Sequence, residues 1–138
     1  YEKQKRRVAV CHEKVRNQRK DFLHKFSRKL VDMYDVIGVE DIDMKAMSQS
    51  MHFGKSVSDN GFGMLRTMLA YKLEEQGKEL VKVDRFYPSS KRCSRCGRIK
   101  ETLALSDRIY RCECGCELDR DVNAAINIRL ETIRLKAS

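Results

Sequence analysis

The sequence predicts an α/β fold, helices layered on parallel strands, with a four-cysteine zinc ribbon inserted before the last helix. Three observations predict it. Apolar residues recur at helical spacing along residues 3–33. Two short apolar runs, at 36–42 and 79–84, alternate with helical segments, the order that favours parallel strands. Cys93-Ser-Arg-Cys96-Gly97 is followed by Cys112-Glu-Cys114-Gly115, with fifteen residues between Cys96 and Cys112, at metal-ligand spacing.

Length and composition fit this reading. The 138 residues suit one domain, or a core with a small insertion. Hydrophobic residues, at 41%, suffice for a core, and a single proline leaves long helices unobstructed. The expected divisions are 1–88 for the partial core, 89–118 for the ribbon and 119–138 for a final motif and helix.

The first element is a helix over 3–33. Val8, Cys11, Val15, Phe22, Phe26, Leu30 and Met33 fall on one face by steps of three, four or seven, so this stripe should face the core. Cys11 on it reads as a buried thiol, and His12 and His24 as surface or packing residues. Residues 36–42 then suit a buried strand with an acid, Glu40, near its carboxyl end. Residues 43–57 show no clear period and read as a mobile loop. Ser58 or Asp59 should cap a second helix with Phe62, Leu65, Leu69 and Leu73 inside, and Gly77 should end it. Glu79 to Asp84 reads as a second strand, and Pro88 breaks the chain before the ribbon. Asp119 or Asp121 should start the last helix, with Ala125, Ile128 and Leu135 on its inner side. Two strands alone make a poor sheet.

Charge narrows the function classes. The net charge is +9, and residues 1–30 carry eleven Lys or Arg against three Asp or Glu, a local excess of +8. A basic stripe of that kind suits a phosphate backbone, so a nucleic acid is the expected partner. A solvated helix face is the plainer explanation. No long apolar run exists, so no membrane partner is expected. Five of six cysteines crowd into 93–116, which points to a cytoplasmic zinc site rather than secreted disulfides.

Zinc needs two thiolate pairs on tight turns, and Gly97 and Gly115 each follow a cysteine where the backbone must take positive φ. Cys114 precedes glycine as Cys96 does, so Cys93, Cys96, Cys112 and Cys114 form the expected ligand set, with Cys116 an alternative to Cys112 or Cys114. A closed four-thiolate site has no open position, so its Zn²⁺ should be structural. Glu40 and Asp121 are the candidate catalytic acids. In α/β folds, strand ends and helix starts gather at one edge of the sheet, where two such carboxylates could hold Mg²⁺ or Mn²⁺ for phosphodiester hydrolysis. An ordinary strand-end acid and an ordinary helix cap are the alternatives.

Four stretches together carry a family resemblance: Val36-Ile-Gly-Val-Glu40-Asp, Tyr87-Pro-Ser89-Ser90-Lys-Arg-Cys93-Ser-Arg-Cys96-Gly97, Leu105-Ser-Asp-Arg108-Ile-Tyr-Arg-Cys112, and Asp119-Arg-Asp121-Val-Asn123-Ala-Ala-Ile-Asn127-Ile. They resemble the carboxyl-terminal half of TnpB, the transposon-encoded RNA-guided nucleases related to type V CRISPR effectors. The resemblance implies a partial RNase H-like (RuvC) fold with an inserted zinc ribbon, metal-dependent DNA cleavage directed by guide RNA, and three metal-binding acids. Glu40 matches the second and Asp121 the third, which leaves Asp119 as a cap or neighbour and the roles of Arg120 and Asn123 open. The first acid should lie on a strand before the long helix. Asp21, Asp32 and Asp35 sit in or at the end of helical sequence, so that acid is expected to be absent and this chain inactive by itself. The competing expectations are a zinc-ribbon module that binds nucleic acid without cutting, and a zinc-stabilised domain that self-associates through its long helix.

Overall fold

The computed structural model describes residues 1–42, 61–104 and 106–138. Its elements are α1 (Glu2–Met33), β1 (Val36–Glu40), α2 (Phe62–Glu75), β2 (Glu79–Val83), β3 (Ile109–Arg111), β4 (Glu117–Asp119) and α3 (Arg120–Ala137). They divide into two compact units, Tyr1–Val36 with Asp43–Leu80, and Ile37–Ile42 with Val81–Ser138. The expected mobile loop at 43–57 and the caps at Ser58 and Asp59 lie outside the described residues.

In the first unit, α1 runs unbroken because no glycine or proline interrupts residues 2–33. Its buried residues are Leu23, Ser27 and Val31, one turn apart on a single face, and α2 packs there with Met68, Leu69, Lys72 and Leu73. This corrects the expected stripe. Val8, Val15, Phe22, Phe26 and Met33 are exposed, Leu30 is half-buried, and Cys11 is exposed rather than a core thiol. The facing side of α1 is rotated by about one residue, from the Phe22–Phe26 line to the Leu23–Ser27 line. The small Ser27 side chain leaves room for Lys72, whose ammonium donates to Ser27 Oγ at 2.7 Å and to the His24 carbonyl at 2.7 Å.

Helix α2 begins at Gly61 with no side-chain cap. Its inner face holds Leu69 and Leu73 as expected, while Phe62 and Leu65 are only half-buried. It ends as the glycine predicted. The Gly77 N–H donates to Glu74 and the Lys78 N–H to Leu73, a paired closure that satisfies the last carbonyls.

Strands β1 and β2 form a two-stranded sheet. The Glu79 N–H donates to Asp35 and the Asp41 N–H to Val83, so both strands rise in the same direction, the parallel pairing expected. β1 is two residues shorter than the apolar run suggested, and β2 ends at Val83 rather than Asp84. The second unit holds a further pair, β3 and β4, antiparallel with Tyr110 opposite Leu118. Gly38 in β1 lies against Thr132 of α3 so closely that a Cβ would overlap Thr132 Oγ1, so only glycine permits this approach.

Helix α3 departs from the expected pattern in one respect. Its buried residues are Asn123, Asn127 and Thr132, whereas Ala125 and Leu135 are exposed. The inner side is polar because it meets backbone carbonyls rather than an apolar layer.

Candidate functional site

Two tight turns build the cysteine cluster. In the first, the Gly97 N–H donates to Cys93 at 2.9 Å and the Cys93 N–H to Arg98 at 2.8 Å, with Arg92 bridged to Ile99 behind. In the second, the Gly115 N–H donates to Cys112 at 2.9 Å and the Cys112 N–H to Cys116 at 2.9 Å. Gly97 and Gly115 take φ of 78° and 81°, the left-handed region their place after a cysteine predicted. The side chains of Arg98 and Glu113 pair across the two turns.

The four Sγ atoms of Cys93, Cys96, Cys112 and Cys114 all lie within 4.8 Å of one another. A tetrahedral ion with Zn–S bonds near 2.3 Å requires sulfurs about 3.8 Å apart. Cys93 to Cys114 is 3.7 Å and Cys96 to Cys112 is 3.6 Å, so the donor set fits a metal ion such as zinc. Among the described residues, this is the group of three or more Cys, His, Asp or Glu that could hold one. Cys116 falls outside it and packs instead with Cys93 and Tyr110 in the small core beneath. Burial pushes the Cys93 thiol up, but the backbone N–H groups of Cys96 and Arg95 outweigh it and bring the thiol down to about 6, which favours the thiolate a metal needs. Tyr110 is fully buried, donates to the Lys91 carbonyl at 3.0 Å, and is pushed up to about 12 by burial and by the nearby cysteine charges.

The segment leading into the cluster is fastened to α3 by two asparagines four residues apart on one helix face. Asn123 Nδ2 donates to the Arg92 carbonyl at 2.8 Å, and Asn123 Oδ1 accepts from the Ser94 N–H at 3.0 Å. Asn127 Nδ2 donates to the carbonyls of Ser89 at 2.8 Å and Arg92 at 2.6 Å. Asn127 Oδ1 has no partner among the described residues, a cost these two donated bonds offset. Tyr87 Oη adds a long 3.4 Å bond to the Asn127 carbonyl.

The candidate acids lie in the same unit. Glu40, half-buried, ends β1, and Ser89 Oγ donates to its Oε1 at 2.5 Å. Asp121 stands in the first turn of α3 with its side chain 79% exposed and Arg120 Nε 3.6 Å from its Oδ1. The cap is Asp119, whose Oδ1 accepts from the Asp121 N–H at 2.8 Å and the Val122 N–H at 3.1 Å. Sequence reasoning offered either aspartate as the helix start, and the structure gives that work to Asp119. Asp21 and Asp32 lie on α1 and Asp35 follows it, so none of the three stands in a strand.

The sequence by itself assigns no role to Ser89 or Asn127. The i, i+4 spacing of Asn123 and Asn127 was the available signal, since two amides on one face of a helix can clamp a neighbouring backbone. Nothing local foretold the Ser89 contact, because its partner lies 49 residues away.

The family model described as "Cas12f1-like, TNB domain" matches residues 62–128, and the OrfB_IS605 model, described as "Probable transposase", matches residues 1–51. A Streptomyces pristinaespiralis protein named for RNA-guided DNA endonuclease activity is 41% identical over 91% of this chain and 31% of its own length. The CRISPR-associated endodeoxyribonuclease Cas12f1 of Sulfoacidibacillus thermotolerans is 33% identical over 91% of this chain and 30% of its own. The chain therefore spans about a third of the curated relatives it matches. A Cas12f1 chain solved with single guide RNA and target DNA superposes with a TM-score of 0.69 at 23% identity, covering 91% of this chain and 37% of that one. That likeness establishes a Cas12f1-like α/β fold.

Proposed function

We propose that this chain, which matches the Cas12f1-like TNB-domain model and the OrfB_IS605 probable-transposase model, is a TnpB-like segment that forms part of an RNA-guided DNA endonuclease with a RuvC-like metal site. Glu40 and Asp121 supply two of its carboxylates, and a third comes from outside residues 1–138. DNA and a guide RNA are the partners of the complete protein.

The observation that carries this reading is the division of work among the acids. Asp119 caps α3, so the carboxylate of Asp121 is not consumed by the helix end and projects from its first turn. At Glu40, the Ser89 hydroxyl engages Oε1 alone, and Oε2 has no other partner among the described residues. Both acids thus present hard oxygen donors of the kind that suit Mg²⁺ or Mn²⁺. A bound divalent ion would supply Lewis-acid stabilisation and a more acidic water at the scissile phosphodiester. The chain's own part is to fix its two carboxylates, one through β1 and Ser89 and the other through the capped start of α3. The four-thiolate cluster has no open coordination position, so its zinc would order the fold and take no part in hydrolysis.

Mn²⁺ titration of the zinc-loaded chain, followed by electron paramagnetic resonance, tests this. Glu40→Gln and Asp121→Asn should each weaken binding by about tenfold or more; equal affinity in both variants and the parent would remove the carboxylate site. Two carboxylates should not cut DNA efficiently by themselves. Mg²⁺-dependent cleavage by residues 1–138 that disappears with Asp121→Ala would show the third acid to be dispensable.

A second reading is favoured by α1, whose first seventeen residues are all exposed and carry a net positive charge. The chain would then bind nucleic acid through this helix and the ribbon without cutting. Such binding should fall steeply with salt, and an affinity indifferent to ionic strength would exclude it.

A further inference from the structure

We propose that Ser89 is a positioning residue for Glu40, and that the asparagine clamp on α3 holds it in place. This deepens the reading of Glu40 as a cation ligand and rests on it. Ser89 is 6% exposed, yet its hydroxyl serves no turn and no helix end. It donates instead to Glu40 Oε1 at 2.5 Å, across 49 residues of sequence. Its backbone is fixed from both sides: its N–H donates to the Tyr87 carbonyl at 2.7 Å, and its carbonyl accepts from Asn127 Nδ2 at 2.8 Å.

A glutamate has three side-chain torsions, and a half-buried one at a strand end samples several rotamers unless something selects one. A hydroxyl held on a clamped backbone does so by engaging one carboxylate oxygen and directing the other. The bond is charge-assisted, which makes it stronger than a bond between neutral groups. The same segment, 89–94, enters the first cysteine turn and is held at Arg92 and Ser94 by Asn123. The ribbon thus reaches the acid through five residues of chain: order at Cys93 fixes Arg92, Asn123 and Asn127 fix the segment to α3, and Ser89 passes that order to Glu40. A ribbon with no open coordination position acquires a second task, the orientation of a carboxylate.

The test compares zinc-loaded parent, Ser89→Ala, Ser89→Thr and Glu40→Gln by Mn²⁺ affinity, with bound zinc counted in each. Groups that hold a metal-ligating side chain in place cost roughly tenfold or more in affinity when removed. Ser89→Ala should therefore weaken Mn²⁺ binding by about tenfold with zinc stoichiometry unchanged, and Ser89→Thr, which keeps the hydroxyl, should restore it. Parent-like Mn²⁺ affinity in Ser89→Ala, while Glu40→Gln loses it, overturns the positioning role and leaves Glu40 as a ligand. Parent-like affinity in Glu40→Gln overturns the ligand reading and this proposal with it. A measurement on the unaltered chain guards against a variant that fails to fold. The side-chain carboxyl ¹³C line of Glu40 should shift on exchange into D₂O as its hydroxyl partner is deuterated, and an unmoved line overturns the proposal.

Discussion

The two units of this chain are stabilised in different ways. The first is a helix pair whose shared face is mostly apolar: Leu23, Val31, Met68, Leu69 and Leu73 are buried, with Ser27 and Lys72 among them. The second has a smaller apolar core, Val83 and, in its ribbon, Cys93, Tyr110 and Cys116 among the described residues, and relies more on side chains that bond to backbone, above all Asn123 and Asn127. A hydrophobic face tolerates small shifts, because burial is not directional. Hydrogen bonds and thiolate ligation do not, because each requires a distance and an angle. The candidate catalytic acids both lie in the directional unit, where a carboxylate can be held in one orientation.

Metal removal should separate the two units most sharply. Structural zinc contributes on the order of 10 kcal/mol of apparent folding free energy in small thiolate sites. Chelation should therefore unravel residues 89–119 while the helical signal of α1 and α2 persists. Circular dichroism would report the helices, and amide resonances of β3 and β4 would report the ribbon. Loss of both signals together would mean that the chain unfolds as a single unit.

Single substitutions probe the same contrast at smaller scale. Leu73 is fully buried, and Leu73→Ala should cost about 3 kcal/mol by removing apolar contacts and leaving a cavity. Asn127→Ala deletes two bonds and strands the Ser89 carbonyl, at a cost of about 2 kcal/mol. Denaturant unfolding would rank them. The informative difference is local: Asn127→Ala should disturb the resonances of Ser89 and Glu40, and Leu73→Ala should leave them in place. A Leu73→Ala change that reaches Glu40 would break the division between the units.

The sequence made the elements legible where a local rule governs them. Helical periodicity and the absence of breakers gave α1, the apolar runs gave β1 and β2, and Gly77 gave the end of α2. The cysteine spacing gave the cluster, because metal ligation constrains sequence directly. What it concealed was which face each helix buries. On α1 the Phe22–Phe26 line is more hydrophobic than the Leu23–Ser27–Val31 line, but only the second meets α2, since a small serine there accommodates Lys72. On α3 the buried residues include Asn123 and Asn127, which no hydrophobic pattern could select, because they donate to carbonyls in a segment more than thirty residues earlier. Strands β3 and β4, at three residues each, are too short to show a period. Composition thus revealed the order of elements, while non-local polar contacts decided their orientation and the surroundings of Glu40.

Lys72 offers the finest test of the contrast, because its ammonium is buried in the apolar unit's shared face. Burial, and after it the nearby Arg28, hold its ammonium below the ordinary lysine value of 10.5. The folded chain therefore releases this proton more readily than the unfolded chain does. Below the lowered folded value the lysine is charged in both states and its full desolvation cost is present. As pH rises from that value towards 10.5 the unfolded state binds more proton, and stability contributed by this residue rises. Lys72→Met keeps the volume, removes the charge and leaves Ser27 Oγ bonded to the His24 carbonyl at 3.1 Å. A buried charge replaced by an apolar side chain of similar size is near neutral or stabilising, so the variant should lie within about 1 kcal/mol of the parent at neutral pH. Its stability should also lack the alkaline rise, visible as a parent-minus-variant difference in urea midpoint that narrows or changes sign with pH. A large loss of stability in Lys72→Met would instead make the ammonium's bonds to Ser27 and His24 the principal tie between α1 and α2, and the first unit would then be held by directional bonds as the second is.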